Sequence, residues 1–154
     1  MFQYAASGQT SKIQELIEAG RDINKKDIGG YTPLHFAVQE NHLDVIQLLL
    51  SSGAGINIKD ENGFSPLYIA ASEGHTEAID LLIKNGADIE IKSNNGTTVL
   101  IISCCYNHQD VVEILLRNGA NIEAKDNDGK TALFYAKEYG YTEITNLLKI
   151  ERNV

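Results

Sequence analysis

The 154-residue chain is long enough to bury the core of one domain. Its hydrophobic share of 43% and charged share of 22% are those of an ordinary soluble globular protein. Its 13 basic against 21 acidic residues give a formal net charge of −8, which argues against nucleic-acid and membrane-surface partners.

No apolar run approaches the roughly 20 residues of a membrane-spanning helix. The opening MFQYAASGQTSK has no basic start followed by an apolar block, so no signal peptide is expected. The two cysteines, Cys104 and Cys105, are neighbours. A bridge between them would strain the intervening peptide, so no disulfide framework is expected and the setting is predicted to be reducing, cytoplasmic or nucleocytoplasmic.

In chain order, the first predicted helix pair occupies residues 1–26, with Met1 inside its first helix and no cap ahead of it. Its second helix carries Lys12 and Glu15, three apart and therefore on one face. The pattern then becomes regular. TPLHFA from Thr32, SPLYIA from Ser65, TVLIIS from Thr98 and TALFYA from Thr131 follow at 33-residue intervals without an insertion. A fixed period of this length marks stacked supersecondary units.

Each unit has the same physical logic. Thr32 or Ser65 is a helix N-cap whose hydroxyl can accept from an orphan amide, and Pro33 or Pro66 fits the first helical position. A helix of about two turns ends near Asn41, Gly74, Asn107 or Gly140, residue types that tolerate a left-handed C-terminus. A second helix, Leu43 to Ser51 in the first regular unit, has apolar residues at helical spacing and stops at Gly53. Stretches such as GADIEIKSNNG alternate briefly and close in a glycine turn, which suits a projecting hairpin. Helices this short are unstable alone in water and must be held by their neighbours.

The end units differ from the internal ones. Lys12 and Glu15 stand where Val45 and Leu48, Ala78 and Leu81, Val111 and Ile114 stand later, and Thr145 and Lys149 replace earlier apolar pairs such as Ile46 and Leu50. Polar faces at both ends are what capping units need, so a complete array is expected; the alternative is a segment of a longer one. Leu16, Leu49, Leu82, Leu115 and Leu148 never change and are expected to pack on the first helix of their own unit.

These features resemble the ankyrin repeat. The family's acidic residue, glycine and Thr-Pro-Leu-His-x-Ala motif appear as Asp27, Gly30, Thr32, Pro33, Leu34, His35 and Ala37; GHTEAIDLLIKNGAD from Gly74 matches its later half. Val99 and Ala132 replace the proline and Ile101 the histidine, which weakens individual helix starts. The resemblance covers essentially the whole chain. It implies an all-α repeat solenoid, a single domain over residues 1–154, of ankyrin-type helix-turn-helix units at about 1–26, 27–59, 60–92, 93–125 and 126–154, joined by projecting β-hairpin loops.

No chemistry converges in the sequence. His42, His75 and His108 occupy one repeat slot and so lie about 8–10 Å apart, too far to share a zinc ion that needs its ligands at about 2 Å. They are expected to bond loop backbone, and His35 to brace its turn. NNGTT and DNDGKT lack the earlier glycine of a phosphate loop. Neither an enzyme, a metal nor a cofactor is expected.

The slots that vary between units are the candidates for binding. They are the hairpin-tip slot (Tyr31, Phe64, Thr97, Lys130) and two slots at the end of the first helix: Gln39 and Glu40, Ser72 and Glu73, Cys105 and Tyr106, Glu138 and Tyr139. The resemblance implies that these slots line a concave groove facing a protein or peptide partner. Tyr31, Phe64, Tyr106 and Tyr139 are the predicted hot spots, because exposed aromatics supply much interface energy; alternatively Tyr31 and Phe64 fold back over their hairpins. By slot, Cys104 is expected to be buried and Cys105 to face the groove.

Lys26, Lys59, Lys92 and Lys125 form a ladder that the following Asp27, Asp60 and Asp126 are expected to neutralise; the alternative is that it receives an acidic partner segment. The resemblance further implies that Asn57, and less clearly Asn24, could be substrates of an asparaginyl hydroxylase. The expected function is that of a non-catalytic, monomeric protein-recognition module; the alternatives are a small inhibitor of an enzyme such as a kinase, or a regulatory or targeting segment of a larger protein.

Overall fold

A computed structural model of the chain describes residues 1–152. The last two residues of the expected 1–154 span lie outside the described residues. Among the described residues ten helices follow one another: α1 (Phe2–Ala6), α2 (Thr10–Glu18), α3 (Pro33–Gln39), α4 (Leu43–Ser51), α5 (Pro66–Glu73), α6 (Thr76–Lys84), α7 (Val99–Cys105), α8 (Gln109–Arg117), α9 (Ala132–Glu138) and α10 (Thr142–Arg152).

Odd-numbered helices form one layer and even-numbered helices the other. α3 packs on α1 and α5, α5 on α7, and α7 on α9, while α2, α4, α6, α8 and α10 stack behind them in the same order. The odd-numbered layer is the more tightly packed. Its residues Ala37, Ala70, Ser103 and Ala136 are fully buried and small, whereas Leu49, Leu82 and Leu115 fill the seam between the layers. Small side chains let backbones approach, so residue size brings the first-helix layer close together.

The helix ends obey the expected chemistry. Ser65, Thr98 and Thr131 accept from the amides of Tyr68, Ile101 and Phe134, so the helices lacking the N1 proline keep their caps. Asn41 and Asn107 adopt φ of 54° and 59°, the left-handed conformation predicted where the first helix stops. Met1 gives α1 no side-chain cap.

The loops are tighter than extended hairpins. Among the described residues there is no strand of two or more residues, only one isolated bridge between Lys92 and Thr98. Each loop is closed by two backbone bonds, such as Asp60 N to Phe64 O at 3.0 Å and Gly63 N to Asp60 O at 3.1 Å, and the first three loops are each joined to the next by another, such as Asn94 N to Asn62 O at 3.0 Å. Gly63, at φ 82°, lies under that junction: a Cβ there would sit 2.5 Å from the amide nitrogen of Asn94.

The end faces are polar as predicted. Lys12 and Glu15 are exposed and paired at 2.8 Å, and Lys149 is exposed while Thr145 is half-buried. Leu49, Leu82, Leu115 and Leu148 are buried, whereas Leu16 is only half-buried.

Candidate functional site

The loop base sets the geometry of the candidate groove. Asp27 Oδ1 accepts from the amides of Gly29 and Tyr31 at 2.9 and 2.8 Å, and Asp60 Oδ1 from those of Asn62 and Phe64 at 2.9 and 2.7 Å. Ser93 Oγ accepts from Thr97 N, and Asp126 Oδ1 from Lys130 N. An acidic or hydroxyl side chain therefore anchors the backbone of each tip residue, which is why Tyr31, Phe64, Thr97 and Lys130 recur in register.

Histidines lock consecutive units together. His35 Nδ1 lies 3.1 Å from Thr32 N and 2.8 Å from Thr32 Oγ1, and its Nε2 lies 3.1 Å from Phe64 O. An amide N–H can only donate, so Nδ1 is the acceptor and the neutral Nε2–H tautomer donates to Phe64. Burial holds the imidazole below its ordinary pKa, outweighing the Phe64 carbonyl that favours protonation. His42, His75 and His108 reach the carbonyls of Ala6, Gln39 and Ser72, each 36 residues earlier, at 2.9–3.1 Å. These are the backbone bonds expected of them.

Between the second, third and fourth units a cleft of about 240 Å³ opens. It is lined by Tyr31, Gln39, Phe64, Ser72, Glu73 and Tyr106, all predicted from repeat variability, together with Tyr68, Ile69 and Ile102. Tyr31 and Phe64 do fold back, and yet they still line the cleft. The Tyr31 ring lies 5.3 Å from His35 and 5.4 Å from Phe36, and Phe64 stacks on Tyr68 at 4.4 Å with an interplanar angle of 4°. Tyr106 is 59% exposed.

The other predicted residues stand around this cleft rather than in it. Glu40 is exposed beside Gln39, whose amide approaches its carboxylate at 3.5 Å. Glu138 and Tyr139 are exposed at the far end, where Tyr139 leans on Tyr135 and Tyr141. Lys130 is held over the rings of Phe134 and Tyr135, 5.1 and 5.7 Å from their centroids. Thr97 is half-buried at its tip. Cys104 is buried as predicted; Cys105 is half-buried against the core, and is not among the residues that line the cleft. Burial pushes the Cys104 thiol up to about 12 and that of Cys105 up to about 11.

The electrostatics of the cleft are negative. Burial, then Asp60, Asp27 and Glu73, raise the Tyr31 phenol above its ordinary range. Burial is also the main cause of the rise of Tyr68 to about 12. The lysine ladder is held differently from the expected pairing with aspartates. Lys26, Lys59 and Lys92 donate to the carbonyls of Lys59, Lys92 and Lys125 at 2.7, 2.7 and 3.0 Å, while the aspartates serve their own loops.

Tyr68, Ile69 and Ile102 were missed because a first-helix apolar position looks like core. For Ile69 and Ile102 the available signal was the column Phe36, Ile69, Ile102 and Tyr135, in which isoleucine gives way to an aromatic ring in the flanking units. Asn24 and Asn57 also tie neighbouring units together, since their Oδ1 atoms accept from Gly55 N at 2.7 Å and Asp88 N at 2.9 Å in the following unit.

Two layers of short helices in a fixed register, with an open cleft along one layer, define a helical-repeat solenoid that presents surface. The chain belongs to the ankyrin-repeat family: the family profile described as Ankyrin repeats (3 copies) matches residues 1–93 and 86–154, together the whole chain. Members of this family are generally protein–protein interaction modules and are typically non-catalytic. A search of curated proteins gives no match.

Proposed function

We propose that the chain recognises a protein or peptide partner through the cleft between its second and fourth units, acting as a monomer and without a cofactor. The observation that supports this reading most is convergence. Six of the twelve residues chosen for their variability line one continuous cleft, although they are scattered from Tyr31 to Tyr106 in the sequence. The tip amides are pinned by the loop bases, so the surface is preorganised and loses little entropy on binding.

Capture from an extract of the source cells tests it, with the wild-type chain and a variant carrying Tyr31→Ala, Phe64→Ala and Tyr106→Ala as baits. The variant's circular dichroism must match wild type. Loss of the captured partner supports the groove; undiminished capture overturns it. An enzyme among the captured proteins is then assayed with added chain, which separates an inhibitor from a scaffold.

A further inference from the structure

We propose, resting on the groove reading above, that the occupant of the cleft is an extended segment of a partner protein carrying arginine or lysine side chains three residues apart. Glu73 is the one ionised side chain among the described residues that line the cleft; the rest are aromatic, aliphatic or neutral polar. Glu40 holds the same slot one unit earlier and is likewise exposed. Two carboxylates thus stand one unit apart, Glu73 in the cleft lining with the rings of Tyr31, Phe64 and Tyr106, and Glu40 just outside it beside Gln39.

Ring faces attract cations, and a planar guanidinium gains both the stacking and the carboxylate. Further acidic groups add to the field, since Asp27 and Asp60 act on Tyr31 together with Glu73. The Lys26 ammonium, which precedes the first tip in sequence, is otherwise engaged: it is bonded to the Lys59 carbonyl. A net charge of −8 would steer a basic segment towards the chain.

The spacing follows from the stack. Packed helices lie about 8–10 Å apart, and an extended chain rises about 3.3 Å per residue. Three residues of ligand therefore match one unit. Basic side chains at positions i and i+3 would meet Glu40 and Glu73 in turn.

The test is selection of displayed random 12-residue peptides on the wild-type chain, followed by affinity measurement of the recovered peptides. The expected result is enrichment of arginine or lysine at three-residue spacing. Binding should weaken about two- to fivefold for each of Glu40→Gln and Glu73→Gln, the range an exposed ion pair supplies, and should weaken as salt rises. Phe64→Ala with Tyr106→Ala should cost more than about tenfold.

Recovery of neutral or acidic peptides that still depend on Phe64 and Tyr106 would overturn the basic occupant and leave the groove standing. Peptides that bind the Phe64→Ala, Tyr106→Ala variant as well as wild type would overturn the groove itself. Failure to recover any peptide above background counts against both. Circular dichroism of each variant excludes misfolding as the cause.

Discussion

Acidification should weaken this protein through His35, and the effect can be worked from its ring. The imidazole is fully buried, and its Nδ1 is the acceptor for the amide of Thr32, a residue only 1% exposed. A protonated ring carries hydrogen on both nitrogens, so that amide would face a donor and be left unpaired. Burial of the ring is the main cause that holds the folded-state His35 pKa below its ordinary 6.5. As pH falls through 6.5 the unfolded chain takes up this proton and the folded chain does not.

More protons on the unfolded state means that stability rises with rising pH and is lost as the pH drops. The contribution is present in full above pH 6.5 and is lost progressively below it. The slope is at most about 1.4 kcal/mol per pH unit, and it ends at the folded pKa. Urea unfolding followed by circular dichroism between pH 7.5 and about 5 would measure it, in wild type and in His35→Gln. The glutamine side chain cannot titrate, and the other three histidines are common to both chains. The wild-type curve should therefore fall more steeply. Parallel curves would refute the assigned tautomer and the buried acceptor.

Two glycines with the same backbone conformation should respond unequally. Gly53→Ala (φ 89°, nothing within 4 Å of the added carbon) should cost about 1–2 kcal/mol of left-handed strain, and Gly63→Ala about 1–3 kcal/mol more because it meets Asn94. Equal thermal shifts would contradict the packed loop junction. Leu82→Ala empties a fully buried site and should cost about 3–5 kcal/mol by urea unfolding. A loss below about 1 kcal/mol would mean that the seam between layers is not close-packed. Both thiols, raised to about 12 and about 11, should react slowly with a disulfide reagent at pH 8 until the chain is unfolded. Free-thiol rates in the native protein would refute their burial.

The parts of this structure that repeat were legible, because a residue type that recurs in one slot does the same work in each unit. Thr98 and Thr131 cap their helices without the proline, as a hydroxyl alone permits. Asn41 and Asn107 take the left-handed turn that otherwise falls to glycine. Lys12 and Glu15 mark an outer face because neither could be enclosed without cost.

The candidate cleft was half legible. Tip residues vary and so stand out, whereas Ile69 and Ile102 serve both the core and the cleft wall, and hydropathy cannot distinguish the two. The lysine ladder was misassigned for a related reason. Sequence adjacency suggested that Lys59 meets Asp60, but the loop amides of Asn62 and Phe64 occupy that carboxylate first.

The histidine bonds that reach back 36 residues also bear on how the molecule would yield to a pulling force. Tension applied at the C-terminal end loads the last interface before any other, since each unit is fastened only to those beside it. The array should then peel in steps, each releasing 33 residues, or about 110 Å of slack chain. Such a body behaves as a fuse in series, giving way link by link while the remainder keeps its shape.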